Sequence, residues 1–377
     1  MIPTTFRCTL FPRQAVAAIA RHLVAAAGAV LGDRLLLLMI VLAVVAAAPA
    51  PAAGLDAPPP GAFTIVVIPD TQGYRGRATK STPQSTEPLT NPVFENHTRW
   101  IVENRQAQNI VFVSHVGDIV DINNAEQWAL ARSCLDRLHG VVPYGLTVGN
   151  HDMTSRGDAT LYQQQFPAKR FEAFPWYGGS YTHARPDQNV SADNVNSFQL
   201  FSAGGLDFLH LNLECNAPDD VLAWADGVLK QHAQRRALVT THMDLGPVEK
   251  PKTNEGYITD PKGRMAWVKI HGARGNSAVQ LWEKLFRKHA NIAFIFSGDQ
   301  SRSVAMKLAA KGDAGNTVHS LLSDYTSSGP LRLYRFIPAE NKVVVLTYDT
   351  TKRALVDTMK NVPDRAEHQF EVAYRMR

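Results

Sequence analysis

Apolar residues along this chain come in short runs that stop at carboxylate, amide or imidazole side chains. Phe63 to Ile68 is rich in β-branched residues, which favours a buried strand, and it ends in Pro69-Asp70-Thr71-Gln72. Ile110 to Val113 has the same character and leads into Gly117-Asp118-Ile119-Val120-Asp121. Val142 to Val148 is a third run, closed by Gly149-Asn150-His151-Asp152. Two helical patterns lie between them. One opens at Asn91-Pro92, carries Phe94, Trp100, Ile101 and Val102, and ends near Gln108; the other covers Ala125 to Leu138 and stops before Gly140. Strand, helix, strand, helix, strand is the signature of stacked βαβ units.

The second half is more broken. Thr154 to Asn196 is irregular and polar, with Phe171, Phe174, Trp176, Tyr177 and Tyr181 scattered through it. Those aromatics either line a pocket or form the loop's own small core. Ser197–Phe201 and Leu206–Leu213 read as a hairpin, and Asp219-Asp220 as the cap of a helix through His232. Ala237 to Thr241 is a strand ending in His242, and Ile292 to Phe296 one ending in Ser297-Gly298-Asp299-Gln300. Between them lie a second long insertion, Gly246 to Gly275, and a helix from Ser277 to His289. Four more strands are expected, at 303–308, 318–322, 331–337 and 342–348. The domain reading is therefore one α/β unit over 62–350, preceded by an Ala/Pro-rich linker at 53–61 and followed by a charged surface tail at 351–377.

Composition changes this picture at the N-terminus. Arg34 precedes fourteen unbroken apolar residues, Leu35 to Ala48, and Ala50-Pro51-Ala52 follows. The run is shorter than the ~20 residues a spanning helix needs. Residues 1–52 read as a signal peptide or, if uncleaved, an N-terminal anchor, so the protein is expected outside the cytoplasm, periplasmic or extracellular. Membrane contact is expected only if that segment stays. The formal charge is +5, but residues 1–52 hold four arginines and one acid, which leaves 35 basic and 33 acidic residues beyond them. No basic stripe points to nucleic acid. Cys134 and Cys215 could pair in an oxidising compartment or remain two buried thiols.

Five strand ends thus carry metal-ligand chemistry: Asp70 and Gln72, Asp118 with Asp121, Asn150 with His151, His242, and Asp299. Mixed oxygen and nitrogen donors suit Zn, Mn or Fe(II), and a carboxylate can bridge two ions. His115, three residues before Asp118, reads as a packed residue rather than a ligand. Arg302, Lys250 and Arg264 are basic residues that could meet a phosphate, or ordinary surface.

In order and spacing these motifs resemble the calcineurin-like metallophosphoesterases, from about Thr64 to Ser301, with the strand-rich stretch to about Tyr348 fitting a second sheet. The resemblance implies a four-layer αββα sandwich with a dinuclear site at the strand ends. It places one metal on Asp70, Gln72 and Asp118 and a second on Asp118, Asn150, His242 and Asp299. It makes His151 the general acid or transition-state stabiliser, oriented by Asp121, and a metal-bound hydroxide the nucleophile against a phosphate ester. The sequence departs from the family at two places. Gln72 stands where the family has histidine, and Gly298-Asp299-Gln300-Ser301 has lost both histidines of Gly-His-x-His. Oxygen-rich ligation of this kind favours Mn or Mg over Zn. Three readings stay open: a dinuclear hydrolase, a mononuclear variant, and a binding protein on the same scaffold. The substrate class is not written in any motif.

Overall fold

The structure, a computed structural model, describes residues 54–182, 190–326 and 328–377. The N-terminal segment read as a signal peptide or anchor lies outside these residues. Among the described residues no helix is long and apolar enough to cross a membrane.

The first half follows the expected alternation: β1 (Phe63–Ile68), α1 (Pro92–Asn104), β2 (Ile110–His115), α2 (Ala125–Leu135) and β3 (Tyr144–Leu146). Both helices start on an asparagine cap. Asn91 accepts from the N–H of Phe94 at 3.1 Å and Asn124 from that of Gln127 at 2.9 Å, satisfying donors that the helix itself leaves free. After α3 (Thr160–Gln165) come β4 (Tyr177–Ser180), β5 (Ser197–Ala203), β6 (Leu206–Leu213), α4 (Asp219–Gln231) and β7 (Arg236–Thr241). The insertion that follows holds β8 (Leu245–Pro247), α5 (Gly256–Thr259) and β9 (Lys262–Arg264). Then come α6 (Ala278–Lys284), β10 (Ile292–Ser297), β11 (Ala305–Lys311), β12 (Thr317–Ser323), β13 (Pro330–Ile337), β14 (Lys342–Asp349), β15 (Ala354–Leu355) and β16 (Gln369–Ala373).

Two seven-stranded sheets carry the fold. One runs β15-β14-β13-β1-β2-β3 with β16 also on β14; the other runs β11-β12-β10-β7-β6-β5-β4. Each sheet holds a parallel set: β1, β2 and β3 in the first, and β6, β7, β10 and β12 in the second. Strand alternation sorts β1 between two cores. Phe63, Ile65 and Val67 pack toward the second sheet with Phe112, Phe201, Phe208, Phe294 and Phe296, while Val66 and Ile68 pack with Phe94, Trp100, Ile101 and Trp128 of the helices. Phe112 stacks on Phe201 across the sheets with centroids 4.6 Å apart. The second sheet's other face packs Leu209, Leu211 and Ile295 against Leu229 of α4 and Leu281 of α6. The layers are therefore helix, sheet, sheet, helix.

Several sequence expectations need correction. The stretch at 351–377 is no surface tail, because β16 pairs with β14 from Lys342↔Ala373 to Leu346↔Gln369 and buries Val372. The strand is only five residues long and keeps Glu371 exposed between Phe370 and Val372, so its alternation is brief. The 53–61 linker is tied down at Leu55, which is buried in the helix-side core. Asp219 and Asp220 do not cap α4. Pro218 holds that position and the two carboxylates lie in the first turn, where they meet the positive end of the helix dipole. Cys134 and Cys215 are both free and buried. Phe171 stacks on Tyr177 and Phe174 on Trp176, beside Tyr144, and Phe171, Trp176 and Tyr177 join the helix-side core rather than a separate one.

Three buried histidines tie stability to pH. Burial pushes His115 and His210 down to about 3 and His97 to about 4. In the unfolded chain they take up protons near pH 6.5, whereas the fold keeps them neutral. Unfolding then binds protons, so stability is full above pH 6.5 and falls as the pH drops toward 3–4, by up to about 1.4 kcal/mol per pH unit for each group. Denaturant unfolding between pH 7.5 and 5.5 should show this decline; a flat profile would mean that the fold accepts these protons.

Candidate functional site

Parallel strands from both sheets point their C-terminal ends at one place. Asp70 follows β1, Asp118 follows β2, Asn150 and His151 follow β3, His242 follows β7 and Asp299 follows β10. Every ligand or catalytic candidate drawn from the sequence lies at these ends; all but Asn150, whose contact is with Lys269, are within hydrogen-bonding or ion-pair reach of another. The turns that deliver them are tight. Gly117 has φ +101° and Asp118 itself is left-handed at φ +50°. A Cβ on Gly117 would lie 2.8 Å from His242 Nδ1 and one on Gly298 only 2.0 Å from Asp70 Oδ1, so neither position has room for a side chain.

Asp118 is the centre of the group. Its Oδ1 accepts the backbone N–H of His151 at 2.8 Å and its Oδ2 the amide of Gln72 at 2.7 Å. His242 Nε2 stands 3.1 Å from the same Oδ1 and 3.4 Å from Asp299 Oδ1. The other ring nitrogen, Nδ1, lies 2.9 Å from the carbonyl oxygen of Val116. A carbonyl only accepts, so Nδ1 carries the hydrogen and Nε2 is aimed at the carboxylates. Burial works against ionising Asp118, but the imidazoles of His242 and His151 outweigh it and hold its pKa far below the usual carboxylate range. Burial, with Asp324 next, drives Asp70 well upward.

Ligand atoms of Asp70, Asp118 and His242 all lie within 4.8 Å of one another, and all three residues are buried. Two of those residues present orphaned atoms: Asp70 Oδ1 and His242 Nε2 are buried without a hydrogen-bond partner. Such atoms cost free energy unless something answers them. A divalent cation seated among two carboxylates and an imidazole would answer both, so the residues fit one ion. The grouping differs from the sequence-based one, in which Asp70 and His242 belonged to different metals.

The rest of the expected ligand set is engaged elsewhere. Lys269 Nζ lies 3.2 Å from Asn150 Oδ1 and forms a close ion pair with Asp299 Oδ1. Asp299 Oδ2 accepts from Gln300 at 2.7 Å. Burial would raise the Asp299 carboxyl, but Lys269 and His242 bring it below its ordinary value. Asp121 reaches His151 through its main-chain carbonyl, 2.7 Å from Nδ1, rather than through its carboxylate, which is 3.9 Å away. Lys80 completes this corner, 2.8 Å from the same Nδ1 and 3.3 Å from the Asp121 carboxylate. Nδ1 can donate to the carbonyl or accept from the ammonium, not both, so Lys80 bears on which ring nitrogen holds the proton. His115 is a packed residue, its Nε2 3.0 Å from Thr71 Oγ1. Arg264 is spent on buried Asp244 at 2.6 Å, and Arg302 lies over the Tyr257 ring.

Reasoning on the sequence missed three contributors. Asp324 ends β12 as the motif residues end their strands, and a strand-then-Asp signal was there to be read; burial pushes its carboxyl up to about 6. Asp152 closes the Gly-Asn-His-Asp motif and accepts from Gly149 N at 2.8 Å and Val120 N at 3.0 Å, tying two motif loops together. Lys269 sits in the irregular insertion and has no sequence signal.

A family model described as calcineurin-like phosphoesterase matches residues 63–300, which spans the strand ends that carry Asp70, Asp118, Asn150, His151, His242 and Asp299. The chain belongs to the calcineurin-like phosphoesterase family. It is 28% identical over 301 residues to the uncharacterised protein YvnB of Bacillus subtilis, covering 76% of this chain and 20% of that protein. This chain therefore spans about a fifth of that relative's length. Among solved structures, the NAD nucleotidase of Haemophilus influenzae is similar at 14% identity and a TM-score of 0.42, over 74% of this chain and 53% of that one. The 5'-nucleotidase precursor of Thermus thermophilus is similar at 12% and 0.41, over 81% and 56%. Likeness at these scores says nothing about substrate.

The contact of Gly298 with Asp70 gives a direct test of the seat. Gly298→Ala should displace the Asp70 carboxylate and weaken Mn binding about tenfold or more, the usual cost of disturbing a ligand's support. Calorimetric titration checks this, with circular dichroism showing the fold retained; unchanged affinity would remove Asp70 from the ligand set.

Proposed function

We propose that this phosphoesterase-family chain is an exported hydrolase of phosphate esters that works with a divalent cation on Asp70, Asp118 and His242. The observation that carries the reading is the convergence of those buried ligands, two of them with orphaned atoms, beside a partly exposed histidine hung from the same carboxylate. A cation bound there would polarise a phosphoryl oxygen and lower the pKa of a water toward ~7.

The chain's own residues supply the rest. Asp118 fixes His151 by its backbone N–H and keeps the ring edge at the seat, with Nε2 4.0 Å from Asp118 Oδ2. The side chain is 26% exposed, so Nε2 can meet a substrate from the open side. With Nδ1 held by the Asp121 carbonyl or by Lys80, His151 is placed to give a proton to the leaving oxygen. Lys80 Nζ beside it adds positive charge where phosphoryl oxygens would sit. The two buried carboxylates and one imidazole suit Mn, Fe or Zn, with Mg also served by the oxygens. Export rests on the composition of residues 1–52.

Hydrolysis of alkyl and nitrophenyl phosphate esters with added Mn is the test. Chelation should abolish it and fresh Mn restore it. His151→Ala should lower kcat by roughly 10²–10⁴ on an alkyl ester, whose leaving oxygen needs the proton, and by less on the nitrophenyl ester. Full activity in chelator, or an unaffected His151→Ala variant, would overturn the reading.

A further inference from the structure

The site offers two places for positive charge, and one of them already holds a side chain. Lys269 Nζ meets Asp299 Oδ1 and Asn150 Oδ1, two of the four residues that the family pattern would give to a second metal. We propose that the Lys269 ammonium permanently takes the place of the second cation, so that the centre binds one divalent ion. This rests on the metal-binding reading above and deepens it.

Three observations carry it. The first is the mount. The backbone N–H groups of Lys269 and Ile270 both donate to Asn216 Oδ1, at 2.9 and 3.2 Å. Asn216 is itself left-handed at φ +55° just past β6, and its Nδ2 donates to the Asn276 carbonyl at 3.0 Å. One residue further on, His271 pairs with buried Glu214 at 3.2 Å and its N–H donates to the Ser155 carbonyl at 2.9 Å. The backbone is thus pinned at Lys269 and at the two residues that follow it, and the side chain is delivered to the site rather than drifting over it. The second is the partner. Asp299 stands where the family has histidine; its side chain is 1% exposed, and a buried carboxylate without a cation is costly. An ammonium in contact with it removes that cost. The third is the charge count. Asp70, Asp118 and Asp299 bring three negative charges, which one divalent ion and one ammonium balance. Lys269 also shares the half-buried Asn150 oxygen, a neutral donor that a cation would otherwise claim.

Loss of the histidine and gain of the lysine then belong to one exchange. The chemistry keeps two positive centres near the phosphoryl group, one of them covalently fixed. A fixed ammonium can neutralise a phosphoryl oxygen, but it cannot bind and activate a water as a metal does. The Asp70–Asp118–His242 seat must therefore do that alone.

The test counts ions without using turnover. Apo-protein is titrated with Mn(II), with bound metal counted by elemental analysis and the electron paramagnetic resonance spectrum recorded at saturation. Wild type should bind one equivalent and give the six-line spectrum of an isolated ion. Lys269→Ala and the near-isosteric Lys269→Met should each admit a second equivalent, with the spectral broadening of two neighbouring spins. Two equivalents in wild type would overturn the proposal while leaving the hydrolase reading intact. Variants that fold and still bind one would also overturn it. No binding in wild type would overturn the metal seat itself and the function built on it. Because the wild-type count alone can refute the proposal, it stays testable even if a variant fails to fold.

Discussion

The carboxylate of Asp118 is buried where the two sheets meet, and the site's architecture follows from keeping it ionised there. A lone charge in such a place would cost several kcal/mol, so it has to be surrounded by donors. The His151 N–H and the Gln72 amide donate to it, and the His242 ring stands beside it. Each comes from a different strand end, so the single charge gathers segments far apart in the chain. The left-handed backbone at Asp118 and the bare Gly117 are what allow the carboxylate to turn inward instead of capping the next helix.

The loops around it are held as a set. Gln127, in the first turn of α2, uses its side-chain oxygen to accept the N–H groups of Asp121 and Ile122, at 2.8 and 2.9 Å. Asp152 bridges the second and third motif loops, and Asn91 ties the start of α1 to the Thr71 carbonyl at 2.7 Å. Helix caps and motif loops therefore share residues. A site whose groups must stay within a few tenths of an ångström gains from being bolted to helix ends rather than left on free loops.

What could be read from the sequence was whatever strand periodicity and strand ends express. β1, β2, β7 and β10 are apolar runs closed by a glycine or a polar residue, and their ends carry Asp70, Asp118, His242 and Asp299. The unread parts have physical causes. β16 is a five-residue edge strand with a single exposed charge, Glu371, and lies amid charged loop sequence, so its alternation is too brief to stand out. The Asp121 carboxylate was the obvious partner for His151, but side-chain types cannot reveal that a main-chain carbonyl does the holding. Lys269 is placed by Asn216, 53 residues earlier, and no local pattern encodes such a contact. The assignment of Asp70 and His242 to separate metals is what the family resemblance implies; in space their ligand atoms lie within 4.8 Å of each other and of Asp118, close enough to meet at one ion.

The replacement at position 299 shows how one substitution constrains its surroundings. Histidine at that strand end would offer a neutral lone pair and leave the charge to a metal. Aspartate brings a negative charge into a place already holding Asp70 and Asp118, with Asp324 close by, and mutual repulsion among them has to be relieved. Part of that relief is visible in the directions of the shifts: Asp70 and Asp324 rise, while Asp118 and Asp299, which face His242 and Lys269, fall. The two carboxylates whose shift runs downward are the two that a histidine and a lysine reach, and the backbone of that lysine is held in place by Asn216.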